Sequence, residues 1–398
     1  MKTYLKTYFR HFDYPIFIAY VILCLLGLVM VYSASIMQAI QEGRAPDYFF
    51  KKQLTSLIIA AFIFIVAAFF PYKHYSNKGL LSLLMVALIV LLAWVTFAGF
   101  GRLEVGSQSW INIGGMNFQP SEYAKLFIIL YFAGSLYKKG LKHQSIEKVQ
   151  PNDIVYPILV WLIVLFSVGL ETDLGAFAII GVIAVSVLVV SGIRGKILRR
   201  FAILLSSLGF LVAVAIAILK WEDLFSGSRL GRFLVLKNPF EYSEGSGYQI
   251  VNGYYAIGGG GLEGRGLGQS IQKLGYLPHP DTDFIMAIIA EELGILGVGV
   301  VIIGLMFIVL RGCYIAMTSE DPLARMIAGG VAGWIGFQTF LNIGGLSGLV
   351  PLTGVTLPFI SAGGTSILML SAAIGILLNV SMYYKYDKLR KKASVEAS

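Results

Sequence analysis

Carboxylates gather in the sequence where a polar segment meets a long apolar run. Asp281 and Asp283 lie in the segment Leu277–Ile285, and Glu291 and Glu292 follow inside the apolar run. A charged side chain at the centre of a bilayer costs about 2.5–3.5 kcal/mol, so these groups indicate a functional task. The position of Asp283 is compatible with a helix N-cap, but a carboxylate at a membrane face also suits a general base.

The composition is that of a membrane protein. Of 398 residues, 57% are hydrophobic and 13% are charged, and the mean hydropathy is +0.77. Soluble domains have roughly 25% charged and 45–50% apolar residues. The sequence therefore predicts an all-α polytopic membrane protein, with residues 1–398 forming a single transmembrane domain. Apolar runs of roughly 17–25 residues predict about ten transmembrane helices, with approximate bounds 14–36, 53–70, 79–100, 121–137, 154–170, 174–192, 199–219, 284–310, 322–345 and 356–383.

Basic residues set the expected topology. The formal charge is +9, but Lys and Arg stand in short clusters between apolar runs, which argues against nucleic-acid binding. With both termini in the cytoplasm, most of the 31 Lys and Arg residues fall in cytoplasmic segments, as the positive-inside rule requires. Cys24 and Cys313 lie in apolar runs and predict neither a disulfide framework nor a cysteine metal site.

One long extracellular loop, about 220–283, joins the predicted seventh and eighth helices. Its length and its aromatic residues predict short helices packed on the bundle. The loop contains the glycine-rich segment 258–270, which lacks the Gly-Lys-Ser/Thr ending of a nucleotide P-loop, so nucleotide binding is not expected. The glycines instead indicate close approach of the backbone to a lipid pyrophosphate or to another helix.

Three further stretches place polar groups in apolar surroundings. Glu122 and Lys125 lie at i and i+3 on one face of a predicted helix, as an ion pair that either packs the bundle or lines a polar cavity. Glu171 lies in a turn, 171–173, whose simplest interpretation is a solvated turn. Segment 342–366 has no charge and is rich in Gly, Ser and Pro at membrane depth, which predicts a broken segment lining a substrate path.

These stretches together resemble the SEDS family of bacterial membrane glycosyltransferases of FtsW/RodA type, which polymerise peptidoglycan. The resemblance covers nearly the whole chain, and its five motifs, each weak alone, occur in order. They are Val31-Tyr32-Ser33-Ala34-Ser35, Gln119-Pro120-Ser121-Glu122, Gly247-Tyr248-Gln249, Pro358-Phe359-Ile360-Ser361 and Gly363-Gly364.

The resemblance implies roles for particular residues. Asp283 matches the aspartate of the family's Thr-Asp-Phe motif and is the expected catalytic residue. Family members usually have His or Gln where this chain has Asp281. We therefore expect Asp281 to influence the pKa of its neighbour or to hold, with Asp283, a divalent cation such as Mg²⁺ or Mn²⁺. The residues expected at the substrate are Trp110, Glu122, Lys125, Arg229, Arg232, Lys273 and Ser361.

The implied reaction is polymerisation of lipid II at the outer face of the bacterial plasma membrane. The expected partner is a class B penicillin-binding protein, a transpeptidase, within a division or elongation complex. Segment 354–358, Gly-Val-Thr-Leu-Pro, and the opening Tyr14-Pro15 favour a division-type member from a Gram-positive bacterium over an elongation-type (RodA-type) polymerase.

Two other classes of function are weighed against this one. A flippase for the same lipid also needs charges and broken segments at membrane depth, but it should show two similar halves, and no internal repeat is visible. A non-catalytic scaffold that recruits the transpeptidase would leave the carboxylates without a task.

Overall fold

Long apolar helices packed against one another make up most of the chain. The computed structural model describes residues 8–98, 109–113, 116–171, 173–203, 235–245 and 247–396. Its main helices are α1 Tyr14–Gln41, α2 Tyr48–Phe69, α3 Lys78–Ala98, α4 Pro120–Lys142, α5 Pro151–Leu170, α6 Leu174–Val190, α7 Tyr248–Gly260, α8 Ile285–Thr318, α9 Pro322–Leu346 and α10 Gly364–Glu396. Short 3-10 helices occupy Tyr72–Ser76, Ile146–Lys148, Pro239–Tyr242 and Gln272–Leu274, and an antiparallel hairpin pairs β1 Ile111–Ile113 with β2 Met116–Phe118.

Seven of the described helices are long and apolar enough to cross a membrane, namely α1, α2, α3, α5, α8, α9 and α10. Helix α6 is apolar but shorter, and α4 begins with the polar residues Glu122 and Lys125. Helices are thus present at nine of the ten predicted positions. The predicted seventh span, 199–219, lies mostly outside the described residues.

The last helix begins later than predicted. Its expected start at 356 is wrong, because α10 begins at Gly364. Pro358 has no N–H to donate, and its neighbours bond elsewhere: the Leu357 N–H donates to Ser361 Oγ at 2.8 Å. Residues 351–363 therefore form an irregular connection between α9 and α10, called the broken segment below.

Helix α8 is kinked at Gly294, whose backbone has φ 60° and ψ −154°. Residues 261–275, called the glycine loop below, dock at this kink. The Gly266 N–H donates to Glu292 O at 2.9 Å, and a Cβ on Gly264 would lie 2.4 Å from the same oxygen. Of the two roles predicted for the glycines, close approach to another helix is the one observed.

Two buried glutamates of α8 hold the glycine loop in place. Glu291 and Glu292 are each 1% exposed. Glu291 accepts a hydrogen bond from Ser270 Oγ at 2.5 Å, and Glu292 accepts from Lys273 Nζ at 2.6 Å and from Ser33 Oγ on α1 at 2.7 Å. Because donors from the loop surround both carboxylates, their task in this structure is to fix the loop against the bundle.

A buried carboxylate ties several helices together at the end of the bundle away from Asp283. Asp13 precedes α1 and is fully buried. It accepts from Ser381 Oγ at 2.6 Å and forms ion pairs with Arg311 at 3.1 Å and Lys385 at 3.2 Å. This cluster joins the starts and ends of α1, α8 and α10 on the side where Lys and Arg are concentrated.

Helix α1 passes directly over the broken segment at Gly27. A Cβ at this position would lie 2.6 Å from Phe359 O and 2.8 Å from Ile360 Cα. Both atoms belong to the backbone and cannot rotate away as a side chain would. The helix therefore needs glycine here to approach the broken segment.

Substitution of Gly27 by alanine should lower stability by roughly 1–3 kcal/mol, because the added methyl overpacks a backbone contact. The matched control is Gly181→Ala in α6, where no atom lies within 4 Å of the added Cβ and alanine has the better helix propensity. Thermal unfolding in detergent compares the two variants. A Gly27→Ala variant that unfolds at or above the temperature of Gly181→Ala would contradict the packing argument.

Candidate active site

Asp283 lies in the loop immediately before α8 and is half-buried. Its carboxylate Oδ1 accepts a hydrogen bond from the Thr282 hydroxyl at 2.9 Å. The N-cap residue of α8 is Phe284, and no side chain caps this helix. The N-cap interpretation of Asp283 is therefore wrong, and its carboxylate is left for another role.

Three successive carbonyls hold the Asp281–Asp283 backbone in place. The Ala362 N–H donates to Asp281 O at 2.8 Å, and Ser361 Oγ donates to Thr282 O at 2.5 Å. The amide of Asn342 on α9 donates to Asp283 O at 2.9 Å. The carboxylates thus stand on a backbone fixed by the broken segment and by α9.

Burial shifts both aspartates toward protonation. It raises the pKa of Asp281, which is 5% exposed, to about 6, with the nearby Asp283 and Glu42 carboxylates acting in the same direction. Burial also raises the pKa of Asp283, against the opposing effects of the Thr282 hydrogen bond and the His279 charge. Each carboxyl therefore holds its proton more tightly than a solvated aspartate.

A second polar cluster surrounds the ion pair of α4. Lys125 Nζ lies 2.6 Å from Glu122 Oε1, and both residues are buried. The ammonium also donates to Gln338 Oε1 at 3.4 Å and lies 5.7 Å from the centre of the Trp334 ring. Glu122 Oε2 is buried without a hydrogen-bond partner among the described residues. An ion pair this deep, with one oxygen unsatisfied, is costly to bury, and its place at a polar cavity stays a prediction.

The turn between α5 and α6 belongs to this second cluster. Asp173 caps α6 through the Ala176 N–H at 2.9 Å and accepts from Gln119 Nε2 at 2.8 Å. Burial raises the pKa of Asp173, and burial raises that of Glu171 to about 8. The solvated interpretation of Glu171 is wrong, since only 7% of the residue is exposed.

Two amide side chains on α9 join the second cluster to Asp283. Gln338 accepts from Lys125 and donates to Thr356 O at 2.9 Å, while Asn342, one turn later, donates to Val355 O at 2.7 Å and to Asp283 O. Sequence reasoning did not single out either amide. Amides spaced i and i+4 in a mostly apolar helix are the signal that was available.

Two residues expected at the substrate are engaged inside the protein instead. Lys273 is 7% exposed, and its ammonium bonds Glu292 and Ser33, so its charge is already balanced in the glycine loop. The Ser361 hydroxyl donates to Thr282 O and accepts from the Leu357 N–H. In this structure these polar groups hold backbone and loop, and their expected contact with the substrate stays a prediction.

The remaining predicted residues are placed as follows. Trp110 is partly buried directly before β1, and its hairpin is anchored on α10, where Thr365 Oγ1 donates to Asn117 O at 3.1 Å. Arg229 and Arg232 lie outside the described residues.

The side chains in the described part of the chain do not by themselves supply a complete set of metal ligands. No group of three or more His, Cys, Asp or Glu residues is arranged there to hold an ion. Asp281 and Asp283 supply at most two carboxylates. This ligand number fits a Mg²⁺-type ion that keeps waters and takes the remaining ligands from a substrate phosphate.

Comparisons with known proteins agree on one family. A family model for cell cycle proteins, covering FtsW, RodA and SpoVE, matches residues 14–386. A probable peptidoglycan glycosyltransferase FtsW of Bacillus subtilis (strain 168) is 44% identical over 393 residues, covering 98% of this chain and 95% of the relative. Stage V sporulation protein E of the same organism is 36% identical over 379 residues, covering 94% and 98%.

Two solved structures share the fold. A chain of a peptidoglycan synthase complex, described for its structural coordination of polymerization and crosslinking, has a TM-score of 0.73 at 27% identity, covering 94% of this chain and 98% of that one. The rod shape determining protein RodA of Thermus thermophilus has a TM-score of 0.63 at 24% identity, covering 94% and 97%. The arrangement of helices around the two clusters is thus that of known membrane proteins.

Replacing Asp281 by asparagine should remove a pH-dependent loss of stability. The raised pKa means that the folded state binds this proton more tightly than the unfolded chain, so stability falls as pH rises from about 4 to about 6, by up to about 3 kcal/mol. Thermal unfolding across pH should show the variant equal to the native protein near pH 4 and more stable above pH 6.5. Asp47→Asn, at a surface ion pair with Lys51, is the control. A stability difference that does not vary with pH would refute the shift.

Proposed function

The chain belongs to the FtsW/RodA/SpoVE family, and from this premise we propose that it is a peptidoglycan glycosyltransferase of division type that polymerises lipid II. It is a multi-pass membrane protein. The observation that carries the division-type assignment is the 44% identity to an FtsW over nearly the full length of both chains. The geometry adds a half-buried carboxylate, Asp283, on a backbone held by three hydrogen bonds.

Asp283 is the proposed general base. Its carboxylate takes the proton from the acceptor sugar hydroxyl, and that oxygen attacks the anomeric carbon of the donor. The bond from this carbon to the pyrophosphate oxygen breaks, the configuration inverts, and undecaprenyl pyrophosphate leaves with the electron pair. The raised pKa supports this role, since a base is most effective when its pKa approaches the working pH.

Positive charge must meet the leaving pyrophosphate. Lys125 is a candidate, although Glu122 balances part of its charge. Arg229 and Arg232 are the other protein candidates. We propose that Asp281 and Asp283 also hold a divalent cation, Mg²⁺ or Mn²⁺, which when bound neutralises phosphate charge. What supports the fit is Asp281, a buried carboxyl among other carboxylates whose ionised form a cation would stabilise.

The proposed site faces outward and both termini lie in the cytoplasm. The basic residues that support this orientation cluster at the end of the bundle away from Asp283, where they include Lys73, Lys139, Arg311, Arg325 and Lys385. Positive charge at one set of helix ends marks the cytoplasmic side. The sugars would then be polymerised outside, beneath the loop that carries α7.

A transpeptidase is the proposed partner, as a class B penicillin-binding protein within the division complex. The support comes from the shared fold with a chain of a peptidoglycan synthase complex in which polymerization and crosslinking are coordinated.

The catalytic assignment predicts that Asp283→Ala and the isosteric Asp283→Asn abolish polymerisation, by at least about a hundredfold, because both lack the base. Purified protein with its transpeptidase partner is incubated with labelled lipid II, and the glycan chains are separated on gels. Asp47→Asn, which changes a surface carboxylate on the same side, should retain activity. Chains of native yield from Asp283→Ala would exclude the role of base, and transbilayer movement of lipid II without chains from the native complex would favour the flippase.

The cation proposal predicts that chelation with EDTA stops polymerisation and that Mg²⁺ or Mn²⁺ restores it. Asp281→Asn removes one proposed ligand, so it should raise the Mg²⁺ concentration for half-maximal rate several-fold. Titration of activity against free Mg²⁺ measures this, with Asp47→Asn as the control. Full activity in EDTA, or the same titration curve for Asp281→Asn and native protein, would argue against a cation at these carboxylates.

A further inference from the structure

We propose that Asn342 on α9 is a positioning residue for Asp283. We also propose that Gln338 links the Glu122–Lys125 ion pair to the same backbone, so that the ion pair affects the position of the Asp283 carboxylate. This inference rests on the proposed role of Asp283 as the base. It is carried by the hydrogen bonds that converge on the two amides.

Asn342 uses its N–H donors to join two separate stretches of chain. Its Nδ2 donates to Asp283 O at 2.9 Å and to Val355 O at 2.7 Å. The residue is 4% exposed, so water does not replace these bonds readily. Because both partners are carbonyl oxygens, the amide can hold them only through its nitrogen, and its orientation is fixed. The backbone of Asp283 is thereby set relative to the broken segment.

Gln338 makes the corresponding link one helical turn earlier. Its Nε2 donates to Thr356 O at 2.9 Å, next to the carbonyl that Asn342 holds. Its Oε1 accepts from Trp334 Nε1 at 2.7 Å and from Lys125 Nζ at 3.4 Å. The ion pair and the Asp283 backbone are therefore attached, through adjacent carbonyls, to the same short piece of the broken segment.

This arrangement acts on the rate of the chemical step rather than on substrate binding. Asn342 bonds the main chain of Asp283 and not its carboxylate. A shift of this carbonyl moves the carboxylate relative to the acceptor hydroxyl, and misplacement of about 1 Å costs up to a hundredfold in rate. Loss of the amide should thus lower kcat and leave KM nearly unchanged.

The test measures kcat and KM for lipid II with the full-length protein and its transpeptidase partner. Asn342→Leu keeps the approximate side-chain volume without donors, and Asn342→Asp keeps the shape while placing an acceptor against two carbonyls. Each should lower kcat at least tenfold with KM within twofold. Gln338→Met, which cuts the link to Lys125, should give a smaller fall in kcat of several-fold.

Asn379 on α10 provides the matched control. It is another buried asparagine that bonds backbone on both sides, accepting from the Tyr72 N–H at 2.9 Å and donating to Ala68 O at 2.7 Å, far from Asp283. Asn379→Leu should lower the unfolding temperature but leave kcat per folded molecule within twofold. If Asn342→Leu does not fold, Asn342→Ser takes its place with the same expectation.

The outcomes distinguish the positioning role of Asn342 from the catalytic role of Asp283. Native kcat in the Asn342 variants, while Asp283→Ala is inactive, would overturn the positioning role alone. Equal losses of kcat in Asn342→Leu and Asn379→Leu would do the same, because they would show a general effect of stability. Polymerisation by Asp283→Ala would overturn the catalytic assignment and the positioning role with it.

Discussion

The broken segment places irregular backbone between two long helices of a membrane bundle, where lipid offers no hydrogen bonds and each polar group needs a protein partner. The amides Gln338 and Asn342 and the hydroxyl of Ser361 meet much of this need. The same contacts then reach the carbonyls of residues 281–283. On the opposite side of the broken segment, Gly27 lets α1 approach its backbone closely. The hydrogen bonds that satisfy the backbone of the broken segment therefore also position Asp283, the candidate base.

The buried carboxylates are of two kinds: some accept several hydrogen bonds and hold the structure together, and others keep an oxygen available to a substrate. Glu291 and Glu292 accept hydrogen bonds from the glycine loop, including its Lys273, and from Ser33 on α1. These donors offset the free-energy cost of burying the two charges. Among the described residues, the Asp283 carboxylate has one side-chain donor, Thr282, and the residue is half-buried. The donors around Glu291 and Glu292 therefore identify these two carboxylates as anchors of the glycine loop.

Much of the fold could be predicted because apolar runs of bilayer length leave few alternatives, and the family motif located Asp283. The roles of Lys273 and Ser361 could not, because residue type shows that a side chain is polar but not which distant backbone or carboxylate it meets. Ser361 meets Thr282, and Lys273 meets Glu292. The start of α10 was misplaced for a related reason: the bond from Ala362 N–H to Asp281 O that competes with helix formation joins residues far apart in sequence.

Burial of two aspartates side by side has opposite consequences for chemistry and stability. For Asp283, burial raises the pKa, which makes the carboxylate a stronger base. For Asp281, with a pKa of about 6, the same burial opposes folding as pH rises through that value. A buried carboxyl with a raised pKa beside a second carboxyl is an arrangement that often marks a functional site. The proposed divalent cation would use both carboxylates together.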